Sequence, residues 1–244
     1  MDSFFFTTKG HSAALEHAAN ELISAGWTRT DGASVVLLPV PSFDPSGKLK
    51  GGGDLQDLPQ GAWIVGGNLQ HPALKGHPCL DLLRNHLYLS ENAAITAHCA
   101  LCIIMENLPV ILDGCPILVV GWGRIGKCLV RLLRHLGAKI TVAARSEADR
   151  ALLEALGYQS ADSTREIPGM EDFRVIVNTV PHMVLPKEKL GACQHGCIKI
   201  DLASTPGIAG DDVIHARGLP NMDAPESSGK LIARMIRKEL ETCK

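Results

Sequence analysis

The sequence predicts an α/β fold built on a doubly wound parallel sheet, with a second, smaller α/β domain at its N-terminal end. Three observations carry this. Short apolar runs, among them Ile117-Leu118-Val119-Val120, Ile140-Thr141-Val142 and Val175-Ile176-Val177, alternate with stretches of helical character, the pattern of repeated βαβ units. A glycine turn, Gly121-Trp122-Gly123-Arg124-Ile125-Gly126, joins the first of these runs to its helix. The same alternation begins earlier, at Phe4-Phe5-Phe6-Thr7-Thr8, in a segment without such a turn. Together they describe a Rossmann-type sheet preceded by a smaller parallel one.

In chain order, residues 4–8 read as a buried strand, 12–25 as a helix stopped by Gly26, Val35-Val36-Leu37-Leu38-Pro39 as a second strand, and Trp63-Ile64-Val65 as a third that enters Gly66-Gly67. Residues 41–61 are rich in Gly, Pro, Asp and Ser, too polar and broken for a core element. They are expected to be a long surface excursion, or a lid that a ligand orders. From Ser90-Glu91-Asn92 the chain runs to Asn107 without Gly or Pro, a long and largely buried helix. The helix after the glycine turn, 127–136, closes on Gly137, and the next, 148–156, on Gly157. Further strands follow at Arg174-Val175-Ile176-Val177-Asn178 and Lys199-Ile200-Asp201-Leu202, with a terminal amphipathic helix over 227–240. The expected division is a small domain, 1–91, a dinucleotide-binding domain, 92–225, and a C-terminal helix, 226–244, that returns to the small domain.

Composition narrows the classes. With 244 residues there is room for one large or two modest domains. A net charge of −2 supplies no basic field for nucleic acid, and no polybasic run suggests a membrane surface. The first residues lack the basic flank and apolar core of a signal peptide, and no stretch approaches a membrane span, so a cytoplasmic location is expected. The eight cysteines read as thiols. Cys99 and Cys102, and Cys193, His195 and Cys197, have partial metal spacing, but each group reads as buried small side chains and no metal is expected.

The chemistry begins at the glycine turn. One glycine permits a tight turn, one lets the backbone approach a pyrophosphate, and one lets helix and strand pack closely, while the pyrophosphate rests on free N–H groups of the helix N-terminus. Gly121, Trp122, Gly123, Arg124, Ile125 and Gly126 are therefore candidate cofactor residues. An NAD site ends its second strand in Asp or Glu to hold the ribose 2′-hydroxyl. Here Ala144-Arg145-Ser146 stands there. Arg145 and Ser146 suit a 2′-phosphate that a carboxylate would repel, so NADP is the expected cofactor. Three segments should line the same cleft: two strand-exit turns, adding Thr179, Val180, Pro181, Leu202, Ala203 and Ser204, and Gly218-Leu219-Pro220-Asn221 before the terminal helix.

The turn Asn178-Thr179-Val180-Pro181 and the glycine turn resemble D-2-hydroxyacid dehydrogenases. However, Asp201-Leu202-Ala203-Ser204-Thr205-Pro206-Gly207 contains no Arg for a substrate carboxylate, and Pro220-Asn221 stands where Pro-His would be expected. A fuller resemblance is to the dipicolinate synthase A-subunit family of endospore-forming bacteria. It is carried by residues 92–96, the glycine turn, residues 136–146, Val177-Asn178-Thr179-Val180-Pro181, Ile200 to Gly207 in the strand-exit turn, and residues 224–230. That resemblance implies an NADP-linked oxidation of dihydrodipicolinate to dipicolinate in sporulation. It further implies a partner, the flavoprotein-like B subunit, and a homo- or hetero-oligomer for the assembly. For the flat dicarboxylate, Ser227 and Lys230 near the start of the last helix, Asn92 and Thr96 on the linker helix, and Ser42 beyond the second strand are candidate contacts. His182 and His98 are candidate proton acceptors. An NADP-binding subunit without turnover, and an oxidoreductase of another cyclic imine or keto acid, remain open readings.

Overall fold

The computed structural model describes residues 4–241. By contact the chain forms two compact units, Met1–Ile95 with Pro220–Lys244, and Thr96–Leu219. In the first unit, β1 (Phe5–Thr8), β2 (Thr28–Arg29), β3 (Val35–Leu37), β4 (Trp63–Gly66) and β5 (Cys79–Asp81) make a parallel sheet in the order β2-β1-β3-β4-β5. Alternate residues of β3 serve opposite faces, as the period of two requires. Val35 and Leu37 join Phe6, Leu15 and Leu22 in one core, while Val36 joins Leu38, Ile64 and Leu74 in another.

Helix α1 (Ala13–Ser24) is capped by Ser12, whose hydroxyl accepts from the Leu15 N–H at 3.2 Å. It buries Ala14, Leu15, Ala18, Ala19 and Leu22. Its small residues let the terminal helix α7 (Pro225–Glu241) approach closely at Gly229, where a Cβ would stand 2.8 Å from the Ala14 carbonyl oxygen. The terminal helix thus starts two residues before the predicted 227 and forms part of the first unit.

The segment 41–61 is the expected surface excursion, mostly exposed, but it is pinned to the sheet. Ser42 N–H donates to the Gly67 carbonyl at 2.8 Å, Lys50 N–H to that of Ser42 at 2.9 Å, and His11 N–H to that of Lys50 at 3.0 Å. Phe43, Leu49, Leu55 and Leu58 pack on the core around Val36 and Ile64. Four apolar side chains spaced through a polar segment carry no periodicity, which hides this packing in the sequence.

Helix α2 (His86–Asn107) leads from the first unit into the second. It begins before the predicted Ser90 because Asn85 caps it, its side-chain oxygen accepting from the Leu87 and Tyr88 N–H groups, both at 3.0 Å. By length and composition it comes nearer to a membrane span than the sequence suggests, since an 18-residue window within its 22 residues reaches a mean hydropathy of 1.3. Core helices meet the same test, and Ala97, Ala100 and Ile104 are fully buried.

In the second unit, β6 (Pro116–Val120), α3 (Arg124–His135), β7 (Lys139–Ala144), α4 (Glu147–Ala155), β8 (Gln159–Asp162), β9 (Val175–Asn178), α5 (Lys187–Leu190), β10 (Ile198–Asp201) and β11 (Val213–His215) follow in order. The short α6 (Leu219–Met222) then precedes α7. The sheet is parallel, in the order β11-β10-β9-β6-β7-β8. Ile117, Leu118, Val119 and Val120 of the central strand are fully buried. The order reverses between β6 and β9, and that reversal opens a crevice at the carboxyl ends of these strands.

Candidate functional site: a dinucleotide cleft

The three glycines after β6 have three separate physical reasons. Gly121 takes φ +106°, a left-handed conformation, and a Cβ there would stand 2.8 Å from Val180 Cγ2 and closer still to Thr179 Oγ1. Gly126 lies in the first turn of α3, where a Cβ would collide with the Gly121 carbonyl oxygen. Gly123 faces open space, with nothing within 4 Å of where a Cβ would stand. It is the N-cap of α3, and no side chain caps that helix. The helix therefore starts at Arg124 rather than at the predicted 127, and the first N–H groups behind Gly123 have no side-chain partner from the cap.

A cleft of about 670 Å3 opens at this turn. Gly121, Trp122 and Gly123 line it, with Arg145 and Ser146 from the β7 exit and Thr179, Val180, Pro181 and His182 from the β9 exit. Arg124, Ile125 and Gly126 are set back in the first turn of α3. Thr179 ties the β9 exit to the end of β6, its hydroxyl donating to the Val120 carbonyl at 3.0 Å. Trp122 brings a buried indole Nε1–H that has no hydrogen-bond partner among the described residues. Its ring is flanked by Lys127 Nζ at 5.6 Å and by Tyr158 at 6.1 Å.

At the β7 exit, Arg150 holds the backbone in place by donating to the carbonyls of Ala144 at 3.0 Å and Arg145 at 2.8 Å. Arg145 is exposed, and among the described residues its guanidinium has no hydrogen-bond or ion-pair partner. Ser146 has an additional role that the sequence reading omits: its oxygen accepts from the Asp149 N–H at 3.3 Å and caps α4, leaving the hydroxyl hydrogen to donate. Asp162, at the end of β8, is held below the usual carboxylate range by hydrogen bonds from Thr164, with Arg150 and Arg165 nearby.

The β10 exit departs from expectation. Leu202, Ala203 and Ser204 are not among the residues lining the cleft. Leu202 N–H donates to the Asn178 carbonyl at 2.9 Å, and Ala203 N–H to Asp201 Oδ1 at 3.1 Å. The organising group here is Asp201, fully buried, whose carboxylate also accepts from Asn178 Nδ2 at 2.9 Å and from the Gly207 N–H at 2.7 Å. Four donors on one buried carboxylate, counting Ile208 N–H at 3.3 Å, satisfy its lone pairs. This network fixes the Asn178 to His182 turn from behind. Its sequence signal is an Asp ending an apolar strand, which reads as an ordinary turn residue.

The candidate substrate residues are dispersed. Ser42 is fully buried, donating to the Pro39 carbonyl at 2.8 Å and accepting from the Gly67 N–H at 3.0 Å. It ties two strand exits together and has no hydroxyl free for a substrate. Lys230 is exposed, but its ammonium lies 2.5 Å from the Glu226 carboxylate one helical turn earlier, so the proposed anion site at this helix start is occupied by the chain's own charge. Ser227 and Lys230 line a groove of the first unit with Glu91 and Arg234, which are themselves ion-paired. On α2, Asn92 is half-buried, Thr96 buried and His98 exposed. His182 lines the cleft at the glycine turn and His98 does not.

No family model matches the chain. It is 27% identical over 157 residues to the dipicolinate synthase A subunit of Bacillus subtilis (strain 168), a match that covers 61% of the chain and spans about half, 53%, of that relative's length. Among solved structures it is similar to the dipicolinate synthase A subunit from Bacillus halodurans, with TM-score 0.85 and 20% identity over 97% of each chain. It is also similar to a transhydrogenase from Sinorhizobium meliloti, with TM-score 0.73 and 15% identity over 98% of this chain and 94% of that one. The fold is thus of the dehydrogenase type, and in sequence and architecture alike the chain is similar to dipicolinate synthase A subunits.

Proposed function

We propose that the chain binds NADP and acts as the A subunit of a dipicolinate synthase, oxidising dihydrodipicolinate to dipicolinate in the cytoplasm during sporulation, together with a flavoprotein-like B subunit. The observation that carries the cofactor is the pairing of an open glycine turn with an unpartnered Arg145 in one cleft. When bound, the nicotinamide would accept a hydride from the substrate ring. Gly123 and the uncapped start of α3 receive the diphosphate. Arg145 and Ser146 receive the 2′-phosphate. Val180, Pro181 and Met183 supply an apolar wall that excludes water. Loss of hydride and a proton makes the ring aromatic, so the chain's main task is to hold a planar dicarboxylate in place. His182, at the cleft, is the proton acceptor we favour over His98.

A second reading has support of its own. Neither His182 nor His98 has a hydrogen-bond partner among the described residues to orient its ring, whereas a general base is ordinarily held by one. A protein that binds NADP without turnover fits that observation. One experiment separates the two: purified chain is mixed with NADP+ and dihydrodipicolinate, with and without the B subunit, and NADPH and dipicolinate are followed by absorbance. Matched appearance of both supports the enzyme. Cofactor binding with no product in either mixture contradicts it and supports the second reading.

A further inference from the structure

We propose that Lys189 is the second cation of the 2′-phosphate subsite, a specificity residue that joins Arg145 in the cleft. This rests on the NADP reading above. The cleft lined by Arg145 and Ser146 is also lined by Lys189 of α5, together with Ser163 and Thr164 after β8. Three linked contacts place the ammonium close to the β7 exit. Ala144 pairs with Asp162 across the two neighbouring strands. Ser163 N–H then reaches the Ala144 carbonyl at 3.4 Å, and Lys189 Nζ donates to the Ser163 carbonyl at 3.2 Å. Ser163 therefore bridges the backbone next to Arg145 and the lysine head group.

The charges at this end of the cleft are unbalanced. Among the described residues neither Arg145 nor Lys189 lies within ion-pair distance of a carboxylate. Asp149 is on the same wall and pairs with neither. Of the three N–H groups of Lys189, one is committed to Ser163. A dianionic phosphate in a cleft lined by both cations can accept the donors that remain on each. A nucleotide lacking the 2′-phosphate has no group that requires a second cation here. Little in the sequence signals this role, because Lys189 follows the fourth strand of its sheet by about ten residues, far from the second-strand exit where such residues are sought.

The test is a titration of the intact chain with NADPH and with NADH, and with the fragments 2′,5′-ADP and 5′-AMP, in wild type, Lys189→Met, Lys189→Arg and Arg145→Ala. Lys189→Met should weaken NADPH and 2′,5′-ADP about tenfold and leave NADH and 5′-AMP nearly unchanged, and Lys189→Arg should restore most of the loss. Retained NADH affinity also certifies that the cleft of the variant is folded. Equal weakening of phosphorylated and unphosphorylated nucleotides by Lys189→Met overturns the proposal, because the lysine would then serve the adenosine or the loop. An unchanged NADPH affinity in Lys189→Met beside a loss in Arg145→Ala overturns it too, while the NADP reading stands. Wild-type chain that binds NADH as tightly as NADPH sinks the NADP reading itself, and this proposal with it.

Discussion

The two units of this chain use the same sheet logic and put glycine to opposite uses. Each sheet reverses its strand order once, between β1 and β3 in the first unit and between β6 and β9 in the second, and each reversal makes a crevice at the strand ends. In the first unit the chain fills its own crevice. Gly51, at φ +75°, lies so close to the backbone of His11 that a Cβ would stand 2.5 Å from the His11 Cα, and the neighbouring Lys50 carbonyl accepts the His11 N–H. In the second unit Gly123 faces nothing within 4 Å, and the crevice stays open as a cleft. Glycine beside such a crevice therefore does not by itself signal a ligand. The informative quantity is what a side chain at that position would meet.

Substitution of the two glycines should break this contrast in opposite directions. Gly51→Ala should cost about 3 kcal/mol or more of stability, since it combines a left-handed backbone with contact against main-chain atoms that cannot swing away. Nucleotide affinity of the folded fraction should be unaffected. Gly123→Ala should change stability by no more than about 1 kcal/mol, because φ −80° suits any residue and no protein atom is met. Its NADPH affinity should fall about tenfold or more where the added methyl displaces the diphosphate. Chemical denaturation and nucleotide titration of both variants check this. A Gly51→Ala protein as stable as wild type, or a Gly123→Ala protein that binds normally, removes the distinction.

A smaller effect compares the two cores at high pH. Burial pushes the Cys197 thiol of the second unit from 9.0 up to about 12, and burial pushes the Tyr88 phenol of the first from 10.0 to about 12, against a hydrogen bond with Ser228 that lowers it. In both, the folded state keeps a proton that the unfolded chain releases earlier, so the associated stability is complete below the unfolded value and is lost as pH rises through the folded one. The loss should begin near pH 9 for Cys197 and near pH 10 for Tyr88. Denaturant unfolding of wild type and Cys197→Ala tests the order: stability of the variant should fall less than that of wild type between these two values. Parallel curves would mean that the buried thiol contributes nothing.

Much of the second unit was legible in the sequence because its central strands are continuous apolar runs and its glycine turn has a steric requirement at each position. Its edge strands were not. Gln159–Asp162 is mostly polar and Val213–His215 is short, and an edge needs little apolar pattern to pair on one side. Of the candidate site, the residues next to one another in the chain came together, as Gly121 to Gly123 with Arg145 and Thr179 to His182 do in the cleft. Those whose role depends on a distant partner did not emerge. Lys189 reaches Ser163, Asp201 gathers Asn178 and Gly207, and Ser42 is consumed by Pro39 and Gly67, none of which a local pattern encodes. Lys230 illustrates the same point in reverse: Glu226, one turn away, was close enough in sequence to be seen as its partner.

The open crevice of the second unit is most directly tested by calorimetric titration of wild type and Arg145→Asp with NADPH and NADH. Wild type should bind NADPH the more tightly, and Arg145→Asp should narrow or reverse that preference as the new carboxylate repels the 2′-phosphate and accepts from the ribose 2′-hydroxyl instead. An NADPH-to-NADH ratio that is the same in the two proteins would contradict the placement of the 2′-phosphate at the β7 exit.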